Sequence, residues 1–109
     1  MQYDMKIRVF NEHPNFGKGC VQLLRLCDEY GSLSKAYKTM GMSNSKAWRL
    51  IKQAQEDLGI TLVQTSSGGA HGGGSILTPE GKDMVDKYER YCARAKELCD
   101  QAFKEIYGE

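Results

Sequence analysis

Two helical patterns meet at Gly41-Met42-Ser43, and so short a joint fixes how its flanking segments can be arranged. Upstream, Ser32 is placed to cap a short helix whose inward residues are Leu33, Ala36 and Met40 and which ends at Gly41. Downstream, Ser43 is placed to cap a longer helix over 44–58, closed by Gly59. Two helices joined through so tight a glycine turn form a helix-turn-helix arrangement.

Successive residues on a helix turn by about 100°, which groups Ala47, Ile51, Ala54 and Leu58 into one narrow core stripe. Ser45, Lys46, Arg49, Lys52 and Gln53 fall in the opposite sector, all polar and all able to donate hydrogen bonds. Trp48 and Leu50 flank the stripe and are expected to be partly buried packing residues. The chain as a whole is almost neutral, with 15 Lys and Arg against 14 Asp and Glu. Between Tyr30 and Gln55, however, Lys35, Lys38, Lys46, Arg49 and Lys52 stand without a single acidic residue. Such a surface suits a polyanion. Residues 79–109 carry 6 basic and 8 acidic residues and would resist lying on one.

The rest of the chain is read around this unit. In the opening segment Tyr3, Met5, Ile7 and Val9 alternate with Asp4, Lys6 and Arg8, a period of two that predicts a short N-terminal strand. Cys20, Leu23, Leu24 and Cys27 recur at helical spacing and predict a first helix over 18–30, stopped by Gly31. After the third helix, Ile60, Leu62 and Val63 with Thr61 and Thr65 favour an extended run, and Ser75 to Thr78 a second. The glycine-rich stretch between them, Gly68 to Gly74, makes the pair a hairpin. A hairpin following such a helix is the wing of a winged helix-turn-helix. Its glycines permit positive φ and close approach of backbone N–H groups to phosphate, while His71 offers a ring to the backbone or minor groove. A nucleotide-binding loop is disfavoured, because no Gly-Lys-Ser/Thr opens a helix there and no G-x-G-x-x-G follows a strand.

Thr78-Pro79-Glu80 combines a capping hydroxyl, a proline at the first helical position and a carboxylate in the first turn. The helix that it opens repeats Val85, Tyr88, Cys92, Ala95, Cys99, Ala102 and Ile106 at alternating intervals of three and four. Met84, Tyr91, Leu98 and Phe103 broaden the stripe, which is expected to serve both the domain core and a homodimer interface. At ~1.5 Å per residue this helix runs about 45 Å, more than a domain of this size requires. The expected division is a winged helix-turn-helix over 1–78 and a dimerisation helix over 79–109.

Four cysteines fall as Cys20/Cys27 and Cys92/Cys99, seven apart within helical segments and without C-x-x-C. They read as buried core thiols, too far separated for an internal disulfide. Neither His13 nor His71 stands at ligand spacing from a cysteine, so no metal and no cofactor is expected. No apolar run is long enough for a signal sequence or a membrane span, and the protein is expected to be cytoplasmic.

Residues 31–82 resemble the N-terminal DNA-binding domain of the molybdate-responsive ModE regulators and, more loosely, the winged helix of LysR-type regulators. The most specific parts are Ser43-x-x-x-Ala47-Trp48, the run Gly68-Gly69-Ala70-His71-Gly72-Gly73-Gly74, and Leu77-Thr78-x-x-Gly81. The resemblance implies a DNA-binding dimer joined through flanking helices, with the third helix in the major groove and the wings on the backbone or minor groove. ModE regulators continue into a molybdate-binding domain that residues 1–109 do not contain, so molybdate is not expected as a ligand.

The reading is a mainly α (α+β) winged helix-turn-helix regulator of transcription, binding double-stranded DNA as a homodimer. Arg49 is the expected base contact, since a guanidinium can bond a guanine edge twice. Ser45 and Lys46 come next, with Asn44, Gln53, His71 and Gly72 as further contacts. Ser43, Lys35, Lys38 and Lys52 are expected to hold phosphates. Two other classes stay open: a thiol or metal sensor using Cys92 and Cys99, and a dimeric protein-binding adaptor. No nucleophile or acid–base pair with an evident partner is present, which makes an enzyme the least expected class.

Overall fold

A computed structural model describes residues 1–66 and 74–108. Its elements run α1 (Lys18–Tyr30), α2 (Leu33–Thr39), α3 (Asn44–Leu58), β1 (Val63–Thr65), β2 (Ser75–Leu77) and α4 (Pro79–Tyr107). The caps expected from sequence set most of these limits. Ser32, Ser43 and Thr78 each accept a hydrogen bond at Oγ from the backbone N–H three residues on. Gly31 and Gly59 close α1 and α3 at φ +64° and +70°, a region costly for any residue with a Cβ.

The core is formed by the inward faces of α1, α2 and α3 together with β1, β2 and the first turns of α4. Phe16, Leu23, Leu24, Ile51, Leu62, Leu77 and Val85 are its largest fully buried side chains. Ala36, Ala47 and Ala54 are buried with them, and these small residues let the helices approach closely. Leu58, read as the end of the α3 stripe, is half-buried, as is Leu50, and Trp48 is 37% exposed.

β1 and β2 pair antiparallel, with Val63 opposite Leu77 and Thr65 opposite Ser75. A two-stranded ribbon is marginal by itself, and here its outer edge is satisfied by α1 and the turn that follows. Ser75 N donates to Gly31 O (3.0 Å) and Leu77 N to Asp28 Oδ1 (3.1 Å). Gly81 in the first turn of α4 completes the seat, because a Cβ there would stand 2.3 Å from Leu62 O. Thr78 binds the residues just before β1, donating from N to Leu62 O and from Oγ1 to Thr61 O.

Three expectations need correction. The opening segment is not a regular strand: its alternation of exposure holds from Gln2 to Phe10, but the one ladder contact is a bridge between Val9 and Phe16. A period of two specifies an extended chain, and it becomes a strand only where another strand supplies partners. The first run of the hairpin pairs from Val63, not Ile60, and Gln55 Oε1 takes the N–H groups of Leu62 and Val63 where the pairing begins. Of the thiols read as core, Cys20 and Cys27 are buried, Cys92 is half-buried and Cys99 exposed. Burial pushes the Cys20 thiol up to about 12 and, with Asp28 adding to it, Cys27 to about 11.

The stripe of α4 divides along its length. Val85 (0% exposed) and Tyr88 belong to the chain's own core, Cys92 and Ala95 are half-buried, and Cys99, Ala102 and Ile106 are exposed. Val85 and Tyr88 are thus taken up by the domain itself and are not free to meet a second copy. No helix among the described residues is long and apolar enough to cross a membrane.

Candidate nucleic-acid interface

α3 is held at its start by the adjoining turn from α2 and at its finish by contacts that include a loop distant in sequence. At its start, the turn from α2 is fixed by Gly41 N donating to Lys38 O (3.0 Å) and Met42 N to Tyr37 O (2.8 Å). At its finish, Gln55 reaches β1 as described, locking the hairpin to the last turn. Asp57 binds the loop after the opening segment: Asn11 N donates to Oδ2 (2.7 Å), and Glu12 N and His13 N to Oδ1 (2.8 Å each). Asn11 Nδ2 returns a bond to Asp57 O (2.8 Å). Desolvation acts to raise Asp57, and these backbone donors overcome it, holding the carboxyl below its ordinary value of 3.8.

Between those anchors α3 presents a continuous polar face. Ser43, Asn44, Ser45, Lys46, Arg49, Lys52 and Gln53 are all exposed, while Ala47, Ile51 and Ala54 on the other side are fully buried. The first turn carries no acid, so the positive end of the helix dipole is uncompensated where Asn44 and Ser45 stand. The Ser43 hydroxyl accepts from Lys46 N (3.1 Å) and keeps its own proton to donate. Lys35 and Lys38 are exposed on α2, away from the buried Leu33 and Ala36. Among the described residues, none of Lys35, Lys38, Lys46, Arg49 and Lys52 forms an ion pair. His71 and Gly72 lie outside the described residues.

Sequence reasoning missed the two side chains that set the pose of this face. Gln55 and Asp57 read as ordinary polar positions on an amphipathic helix, and their partners are 7 to 46 residues away. Among the described residues no cluster of His, Cys, Asp and Glu is placed to hold a metal ion.

Residues 21–82 match the bacterial regulatory helix-turn-helix protein, lysR family, an interval that runs from α1 through the hairpin to the seat of α4. The chain belongs to that family. It is also similar to the molybdenum-pterin-binding protein MopB of Rhodobacter capsulatus, 34% identical over 62% of this chain and 25% of that protein. The DNA-binding transcriptional dual regulator ModE of Escherichia coli is 32% identical over 63% of this chain and 26% of its own length. The molybdenum transport protein ModE of Herbaspirillum seropedicae is 35% identical over 58% and 23%. The chain thus spans about a quarter of the length of these relatives. The family and the relatives agree with the sequence-based expectation of a ModE-type helix-turn-helix.

Proposed function

We propose that this protein regulates transcription by binding double-stranded DNA as a homodimer, with α3 of each copy in the major groove and the hairpin against the flanking backbone. The observation that carries this reading is the polar face of α3 from Ser43 to Gln53, which holds no acid and whose cations have no carboxylate partner among the described residues. A cation paired within its own chain must lose that partner to neutralise a phosphate, whereas these need only displace water and mobile ions.

Arg49, mid-helix and flanked by exposed Lys46 and Lys52, is the base contact, suited to a guanine O6/N7 edge. Ser45, Asn44 and Gln53 supply neutral donors and acceptors beside it. Lys46 stands next to these as a base contact, and Ser43, Lys52, Lys35 and Lys38 take phosphates, which fix register without reading sequence. The hairpin tip, with His71 and Gly72, is assigned to the DNA backbone from sequence alone. The exposed end of the α4 stripe, Cys99, Ala102 and Ile106, with Cys92 and Ala95 at its half-buried edge, is assigned to the dimer contact. No cofactor and no catalysis is assigned.

Selection of bound duplexes from a random pool tests the reading. The expected result is an enriched palindromic motif whose half-sites are about one helical turn, roughly 34 Å, apart. Absence of enrichment at low ionic strength would overturn it.

A further inference from the structure

The opening segment holds an unused sheet edge. From Gln2 to Arg8 exposure alternates with the period of an extended chain, Tyr3, Met5 and Ile7 being half-buried and Gln2, Asp4, Lys6 and Arg8 exposed. Tyr3 is pinned to the far half of α4, stacking on Phe103 (ring centroids 5.1 Å apart) and donating its hydroxyl to Asp100. Ile7 O accepts from the Tyr88 hydroxyl (2.8 Å). The bridge through Val9 N to Phe16 O shows which way the odd-numbered backbone groups point. In an extended chain successive residues direct their N–H and C=O to opposite edges. Those of Gln2, Asp4, Lys6 and Arg8 therefore line the edge away from Phe16. Among the described residues these N–H groups have no hydrogen-bond acceptor, and Asp4, Lys6 and Arg8 have no ion pair.

So long an open edge is a template for another strand. We infer that its occupant is the same segment of a second copy, paired antiparallel about Met5. In that register Asp4 stands opposite the partner's Lys6 and Lys6 opposite the partner's Asp4, Gln2 opposite Arg8, and Tyr3 opposite Ile7. Each is a favourable cross-strand pair. The next register that keeps the same faces together, centred on Lys6, opposes Asp4 to Arg8 but also sets Lys6 against its own copy, a like-charge pair that the Met5 register does not contain. Beneath the open edge lies an apolar groove lined by Met84, Tyr91, Ala95 and Cys99 of α4. The second copy's α4, carried under its own strand, meets this groove. The ribbon and the helix contact then form one continuous interface, resting on the homodimer of the proposed function and specifying its geometry.

Charge exchange tests the register on the full chain. Sedimentation equilibrium at low salt is expected to show the wild type as a dimer and Asp4→Lys, which opposes lysine to lysine twice, weakened about tenfold or more. The double variant Asp4→Lys/Lys6→Asp restores opposite charges and is expected to recover wild-type association. Both positions are exposed and unpaired within one copy, so the far-ultraviolet circular dichroism spectrum should be unchanged in either variant, and the double variant should melt as the wild type does. In a Cys92→Ser/Cys99→Ser background, Met5→Cys is expected to form an intermolecular disulfide on oxidation, and Lys6→Cys is not. A dimer indifferent to Asp4→Lys, or recovered by neither exchange nor cross-link, overturns the ribbon and leaves the dimer standing. A wild type that sediments as a monomer overturns both.

Discussion

Helices α3 and α4 both lay an apolar stripe on the core and show cations to solvent, but they handle that charge in opposite ways. On α4, Lys87 binds Asp83 (2.8 Å), Arg90 lies near Asp86 (3.7 Å), Arg94 binds Glu97 (3.2 Å) and Lys96 binds Asp100 (3.0 Å). Such exposed pairs at i,i+3 and i,i+4 add only a few tenths of a kcal/mol each. Their larger consequence is that the helix neutralises itself and offers a polyanion little. On α3, Lys46, Arg49 and Lys52 have no such partners, and no acid occurs before Glu56. The cost is mutual repulsion, and the return is a surface whose neutralisation is left to a ligand. A count of Lys and Arg would not separate the two helices; the positions of the carboxylates do.

The comparison requires that α4 begin from a fixed seat on the hairpin, and the seat is its most breakable point. Gly81→Ala places a methyl 2.3 Å from the Leu62 carbonyl oxygen, a backbone atom that cannot turn aside. Overpacking of this kind costs about 3 kcal/mol, a large part of the stability of a small domain. Urea denaturation followed by circular dichroism should show that loss. A wild-type midpoint would mean that α4 is not seated on the hairpin as described.

A smaller but more pointed effect is expected at Arg49. Arg49→Ala should weaken binding to the selected site by about 2 kcal/mol, roughly 30-fold, and relax base preference at one position of each half-site. Nothing in the fold depends on this side chain, so the thermal melt should not change. Uniform weakening across all sequences would demote Arg49 to a phosphate contact.

Salt dependence contrasts the two helices directly. With about six phosphates neutralised per dimer, the log–log slope of affinity against salt should lie near −5. Lys52→Ala should reduce the slope by about 1 per copy, whereas Lys87→Ala on α4 should leave affinity within about twofold. Equal effects from both would erase the distinction between unpaired and self-neutralised cations.

The local signals that define α3 were legible because each acts over a turn or less of helix: Ser43 and Gly59 at the ends, Ala47, Ile51 and Ala54 along the inside. The same holds for Gly31, Ser32 and the Thr78-Pro79 start of α4. What could not be read was pairing across distance. Val9 meets Phe16 and no other strand, so a correct period of two did not yield a sheet. Gly81 could be noted as a motif position, but its reason, the oxygen of Leu62, exists only after folding. Within the site, exposure of Lys46, Arg49 and Lys52 followed from periodicity, while the freedom of those cations from carboxylates depends on the whole surface.

Glu56 stands exposed where the polar face of α3 ends, whereas its neighbour Asp57 is turned to the 11–13 loop, and the smallest effect is expected at Asp57. Its carboxylate accepts three backbone N–H groups of the 11–13 loop, so its charge is spent inside the fold and not presented to a phosphate. Its pKa is lower in the folded chain than the ordinary 3.8, so the ionised form is the one that folding favours. The stabilisation is complete above 3.8 and fades as pH falls from there through the folded value. Wild-type melting temperature should therefore drop more between pH 7 and pH 3 than that of Asp57→Asn, which has no charge to lose. Because the loop and α3 are joined by this clamp, Asp57→Asn should also raise hydrogen exchange at the amides of Glu12 and His13. Equal acid sensitivity with unchanged exchange would show that the loop is held by other contacts, and that α3 needs no internal anion at its end to keep its face clear.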